Sequence, residues 1–162
     1  MVWIVILAGL VLLDQMLKHL VVISLTGNEA RPVIDQFFYI VNRRNTGAAW
    51  SFLADRTWGI TVLSVLSAVA SVVLLYLLFW LRPSRYKLPL VLMTAGAIGN
   101  LIDRVKNGAV VDYLDFHFGS YIFPTFNLAD MCLVTGTILL AILLLTDPNP
   151  SGLLQGHTSR RL

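Results

Sequence analysis

The chain has 162 residues, of which 57% are apolar or aromatic and only 13% charged, with a mean hydropathy of +0.76. Soluble domains carry about 45–50% apolar and about 25% charged residues, so this composition excludes a soluble domain and indicates a membrane protein. The net charge of +3 comes from twelve Lys/Arg scattered among apolar runs without a basic stripe, which excludes nucleic acid as a partner, and the one cysteine, Cys132, excludes an internal disulfide and a Cys-based metal cage.

The first apolar run, Val2 to Leu25, lacks the basic start and small-residue cleavage site of a secretory leader and is interrupted by Asp14 and Lys18, so it is expected to stay as a transmembrane helix. Thr26 to Thr57 is the longest connection. Its stretch PVIDQFFYIV, residues 32–41, is β-branched and aromatic, which predicts strands on the membrane surface over about 28–56. Trp58 to Leu81 has no charge and spans about 36 Å as a helix. The short loop RPSRYK, residues 82–87, carries three positive charges and no acid; its density places this loop and both termini in the cytoplasm, although the total Lys/Arg count favours the other side.

Leu88 to Ile102 reaches about 22 Å, short of a hydrocarbon core of about 30 Å unless the helix continues through Asp103 and Arg104 to about residue 105. The last span, Phe123 to Leu145, opens at Pro124 and carries Asn127 and Asp130 in its first two turns, which would set Asp130 about 9 Å inside that end. Residues 1–146 are thus expected to form one membrane-embedded domain of four helices, and 147–162 a polar tail.

Ionisable groups inside a bilayer are costly and mark function or a specific partner. Asp14 and Lys18, at i and i+4, can pair and merely lock helix packing. In the third span Ala95, Gly96 and Gly99 offer a small-residue surface for another helix, and Asn100, Asp103 and Arg104 gather within about one turn. Asp130 is the most informative residue, a carboxyl in an otherwise apolar helix with Asn127 three positions before it, able to hydrogen-bond and orient it. Asp112 lies on the connection into the same helix, with ample chain to fold back over it. Two carboxyls brought close cannot both ionise cheaply; they share a proton, and one acts as base on a water while the other acts as acid, the pattern of peptide hydrolysis by an aspartic dyad. Spacing leaves Asp112, Asp115 and Asp103 open as the partner of Asp130. A proton-coupled carrier, with Asp14, Asp103 and Asp130 as a relay, is the rival reading, but a relay needs acids reaching both faces and these concentrate on one.

The blocks DQMLK (14–18), RRNTGAAWSF (43–52), GAIGNLIDR (96–104), VVDY (110–113) and FPTFNLAD (123–130) jointly resemble the bacterial lipoprotein signal peptidases, or signal peptidase II, with Trp50 standing where Phe is common. The resemblance implies an all-α membrane fold, a four-helix bundle with a small extracytoplasmic β-cradle, and an aspartic endopeptidase without cofactor or metal. It implies a lipid-modified prolipoprotein as substrate, cut just before a cysteine bearing a diacylglyceryl group, at the outer face of the bacterial plasma membrane. It further implies Asp112 and Asp130 as the catalytic pair, with Asn45, Asn100, Asp103, Arg104, Asn127, Asp14 and Lys18 supporting the site. The enzyme is expected to work as a monomer among membrane lipids.

Overall fold

The computed structural model describes residues 1–26, 29–47, 58–81 and 84–148; Trp50, the Arg82–Pro83 part of the basic loop and the tail from residue 149 lie outside them. Four helices, α1 (Val2–Ser24), α2 (Gly59–Trp80), α3 (Lys87–Asn107) and α4 (Leu128–Thr146), are long and apolar enough to cross a membrane, α3 together with the 3₁₀ turn Ser84–Tyr86 before it. On α1, α2 and α4 large apolar side chains such as Ile4, Leu12, Val65, Val72, Phe79, Val134 and Ile138 face outward, as helices solvated by lipid do.

The bundle is organised around α3. Ten of its residues are buried, against four, three and three on α1, α2 and α4. The small-residue surface expected at Ala95, Gly96 and Gly99 is where its neighbours approach. A Cβ added at Gly96 would come within 2.7 Å of Leu133 Cγ, one at Gly99 within 2.6 Å of Asp14 Oδ2, and one at Gly136 within 2.7 Å of the Pro89 carbonyl. At the other end of the bundle Leu7, Leu78, Leu81, Tyr86, Leu90 and Val91 pack α1, α2 and α3 into an apolar core.

Above the helix ends sits a four-stranded antiparallel sheet in the order β1 (Ala30–Ile34), β2 (Phe38–Asn45), β3 (Val110–Phe118) and β4 (Tyr121–Ile122). The β-rich stretch 32–41 is a hairpin broken at residues 35–37, where Gln36 takes φ 58° and its N–H is held by the Asp35 carboxylate and the Tyr39 hydroxyl. β3 is an element that the spacing of VVDYLDFHF did not announce. It forms because Gly108, at φ 64°, ends α3 in a left-handed cap and turns the chain back beneath β2.

α4 starts at Leu128, not at Phe123. Pro124 does not open the helix, because the chain before it is still paired to β3: Phe123 N donates to Phe116 O at 2.8 Å, and Phe126 and Leu114 exchange backbone hydrogen bonds at 2.9 and 3.1 Å. Asp130 therefore stands in the first turn, about 4.5 Å in rather than about 9 Å.

One polar cluster is sealed between α1, α3 and α4. Lys18 Nζ lies 2.9 Å from Asp14 Oδ2, 2.9 Å from Asp103 Oδ2 and 3.0 Å from Asn100 Oδ1. Gln15 Nε2 donates to Asp103 Oδ1 at 3.1 Å and to the Gly99 carbonyl at 3.2 Å. Asp14 Oδ1 accepts from Ala129 N at 3.0 Å, and Asp103 Oδ2 from Val111 N at 3.1 Å, so the cluster also holds the start of α4 and of β3. Removing one partner from a buried ion cluster leaves uncompensated charge. Lys18→Met is accordingly expected to destabilise the protein by about 3–5 kcal/mol, and Gly96→Ala by about 1–3 kcal/mol through overpacking. Gly9→Ala, which meets nothing within 4 Å, should leave stability unchanged or slightly raised. Thermal unfolding in detergent checks all three, and a Gly96→Ala protein as stable as Gly9→Ala would contradict the packing described.

Candidate active site

The site is built where three elements meet: the end of β2, the start of β3 and the first turn of α4, with α3 behind them. Asn127 is the N-cap of α4 and Asp130 its third residue, and the two form a reciprocal capping box, Asp130 N donating to Asn127 Oδ1 at 3.0 Å and Asn127 N to Asp130 Oδ2 at 3.2 Å. The local sequence dictates this, since Asn followed by an acid at the third helical position satisfies two helix N–H groups that have no partner within the helix. Asp130 is thereby fixed in rotation before it meets anything else.

Asn127 has a second job. Its side chain is fully buried and its Nδ2 donates to Asp112 Oδ1 at 2.7 Å. The same amide lies 3.3 Å from Asn100 Oδ1 and 3.3 Å from the Val111 carbonyl. Asp112 Oδ2 accepts from Asn45 Nδ2 at 3.0 Å, across β2 and β3, where Asn45 pairs with Val110 and so reaches Asp112 on the diagonal. Asp130 Oδ1 accepts from Asn100 Nδ2 at 2.7 Å. Four carboxyl oxygens thus have four amide donors, and both carboxyls are gripped by one residue, Asn127. Asn100 connects this pair to the Lys18 cluster, because its Oδ1 receives Lys18 and its Nδ2 holds Asp130.

The other two acids that could have paired with Asp130 are occupied elsewhere. Asp103 belongs to Lys18, Gln15 and the Val111 amide. Asp115 is bonded to His117 at 3.0 Å, Thr125 at 3.2 Å and Arg43 at 3.4 Å. Burial holds the Asp112 carboxyl well above the usual carboxylate range, at about 6, with the charge of Asp130 adding to the rise and the Asn45 and Asn127 hydrogen bonds opposing it. A protonatable carboxyl beside a second carboxyl can hand a proton back and forth near neutral pH.

Further polar groups stand around the pair. Asn45 Oδ1 closes a turn on Gly47 N at 2.9 Å while its amide faces Asp112, so the NTG segment is both a turn and part of the site. Arg104 reaches from α3 to Ser67 Oγ at 3.2 Å and to the Gly47 carbonyl at 3.5 Å, and its buried Nε has no partner among the described residues. All nine residues singled out in the sequence fall in this connected region.

Two residues of the region escaped sequence reasoning. Gln15 bridges Asp103 and Gly99, contacts more than 80 positions away that no local spacing signals. Tyr113 accepts a hydrogen bond from Leu128 N at 3.3 Å on the first turn of α4, and burial raises its phenol to about 12; only the unforeseen strand β3 puts it there.

Comparison with known proteins gives the family and the overall fold. The family model described as "Signal peptidase (SPase) II" matches residues 6–146. A lipoprotein signal peptidase of Bacillus pumilus (strain SAFR-032) is 41% identical over 143 residues, covering 85% of this chain and 88% of that one. One of Moorella thermoacetica (strain ATCC 39073 / JCM 9320) is 42% identical over 149 residues, covering 90% and 95%. A bacterial membrane enzyme solved by the in meso method at 2.3 Å superposes with a TM-score of 0.79 at 30% identity, over 99% of this chain and 93% of that one. A second, solved at 1.9 Å, gives 0.76 at 34% identity over 90% and 94%. A model match across both ends of the bundle, joined to relatives above 40% identical over most of their length, shows that this chain belongs to the signal peptidase II family.

Proposed function

We propose that the chain is an aspartic endopeptidase in which Asp112 and Asp130 hydrolyse the bond between a signal peptide and the diacylglyceryl-modified cysteine of a prolipoprotein. The observation that carries this reading is the double grip of Asn127, whose side chain holds Asp112 and whose backbone N–H holds Asp130. Membership of the family supports the substrate class; the geometry supports the chemistry.

The pair carries one proton. The ionised carboxylate takes a proton from a water, whose oxygen adds to the scissile carbonyl carbon, while the protonated carboxyl gives its proton to the carbonyl oxygen, producing a neutral gem-diol. The newly protonated carboxyl then protonates the peptide nitrogen, the C–N bond breaks, and a gem-diol hydroxyl returns a proton to the other carboxylate. The signal peptide leaves with a carboxyl terminus and the lipid-bearing cysteine with a free amine. Asn45, Gly47 and Arg104 face the peptide, while Asn100, Asp14, Lys18 and Asp103 hold the dyad in place. With the basic loop and both termini in the cytoplasm, the sheet and the first turn of α4 lie at the outer face of the plasma membrane, where a translocated precursor is found. In this reading the enzyme acts as a monomer.

Asp112→Asn and Asp130→Asn are each expected to lower cleavage of a lipidated precursor by about 10²- to 10⁴-fold with the helical fold retained; a fully active variant at either position would refute the dyad. The pH dependence has a definite sign. Asp112 binds its proton more tightly folded, at about 6, than in the unfolded chain at about 4, so the stability it contributes is present below that lower value and is lost as pH rises through about 6. Asp112→Asn removes this titration. The melting temperature of the variant relative to wild type should therefore rise between pH 5 and pH 7.5, by the equivalent of about 1 kcal/mol; a difference that does not change with pH would contradict the protonation described.

A further inference from the structure

Between the last two turns of α1 and the sheet lies a groove of about 220 Å³ lined by neither of the two carboxyls nor any of the groups that hold them. One wall is a helical stripe of α1, with Leu17, Leu20 and Val21 at the i, i+3 and i+4 positions and Leu25 just past the helix end, and Ile40 of β2 faces it. Tyr113 of β3 forms the floor. On the rim stands Arg31 of β1, the one charged side chain lining the groove. Arg31 is exposed and forms no ion pair among the described residues; Glu29, the nearest acid in sequence, is bonded to Thr26 Oγ1 at 3.1 Å.

An apolar trough that begins on the flank of a membrane-spanning helix and ends at a guanidinium has the two halves of a lipid site. Leu20 is itself 46% exposed, so the trough opens sideways from the bundle, where acyl chains are the solvent. A guanidinium is a planar fork matched to phosphate oxygens and, unlike an ammonium, binds them two at a time. We propose that this groove holds one anionic phospholipid, an acyl chain along the α1 stripe and the phosphate on Arg31. The floor gives the site a consequence. Tyr113 neighbours Asp112 on β3 and accepts the hydrogen bond of Leu128 N, so a filled groove supports the strand and the helix turn that carry the two carboxyls.

The test is a lipid titration of the delipidated full chain in micelles, read by native mass spectrometry and by thermal unfolding, with dioleoylphosphatidylglycerol, dioleoylphosphatidylcholine and inorganic phosphate as separate probes. One phosphatidylglycerol is expected to bind about fivefold tighter than phosphatidylcholine and to raise the melting temperature, while phosphate alone does neither. Arg31→Gln should bring the two lipids to parity, and Leu20→Trp, which fills the trough from its open side, should weaken both. Equal binding of the two lipids by the wild type overturns the proposal, as does a preference unchanged in Arg31→Gln or binding unchanged in Leu20→Trp. Stabilisation by free phosphate equal to that by the lipid would show an isolated anion contact and overturn the lipid site as well.

Discussion

The ammonium of Lys18, held at 2.9–3.0 Å by Asp14, Asp103 and Asn100 in a place closed to solvent, is the contact on which the rest of the molecule depends. A charge in a membrane interior is tolerated only when its partners are fixed, and here each partner is attached to a different part of the fold. Asp14 caps the start of α4 through Ala129 N, Asp103 anchors β3 through Val111 N, and Asn100 turns its amide to Asp130. Two carboxylates against one ammonium leave a net negative cluster, which Gln15 and the backbone amides relieve with hydrogen bonds. The two carboxyls proposed for catalysis need not supply this stability themselves, and remain free to exchange a proton.

The same arrangement explains why small residues stand on α3. Gly99 lets Asp14 come close enough for Lys18 to reach both acids, and Gly96 lets the first turns of α4 lie against α3 backbone to backbone. Either position with a side chain would move α4 outward, and Asp130 with it. Packing and proposed chemistry are therefore one constraint. It is met at the end of the bundle where the sheet covers the helices; the opposite end is filled by an apolar core around Tyr86 and Leu90.

Much of this was legible in the sequence because bilayers and helices impose short-range rules. Four apolar runs gave four helices, the shortfall of Leu88 to Ile102 required α3 to run on through Asp103 and Arg104, and the Asn127 to Asp130 spacing announced their hydrogen bond. What was not legible depends on pairing between distant segments. VVDYLDFHF carries strand-forming residues but becomes β3 only because β2 lies beside it, and the pairing of Phe123 and Phe126 to β3 in turn delays α4 to Leu128 despite Pro124. Spacing left Asp112, Asp103 and Asp115 open as partners of Asp130 and the family resemblance implied Asp112; that Asp103 and Asp115 are held by other groups is visible only in the fold.

The central claim is that this carboxyl pair cleaves a lipid-modified precursor at one bond, and product analysis addresses it most directly. Purified protein is incubated with a diacylglyceryl-modified prolipoprotein and with its unlipidated twin, and the products are identified by mass. Cleavage of the lipidated precursor alone, at the bond preceding the modified cysteine, is the predicted result. Equal cleavage of both precursors, or none of either by a folded protein, would contradict it.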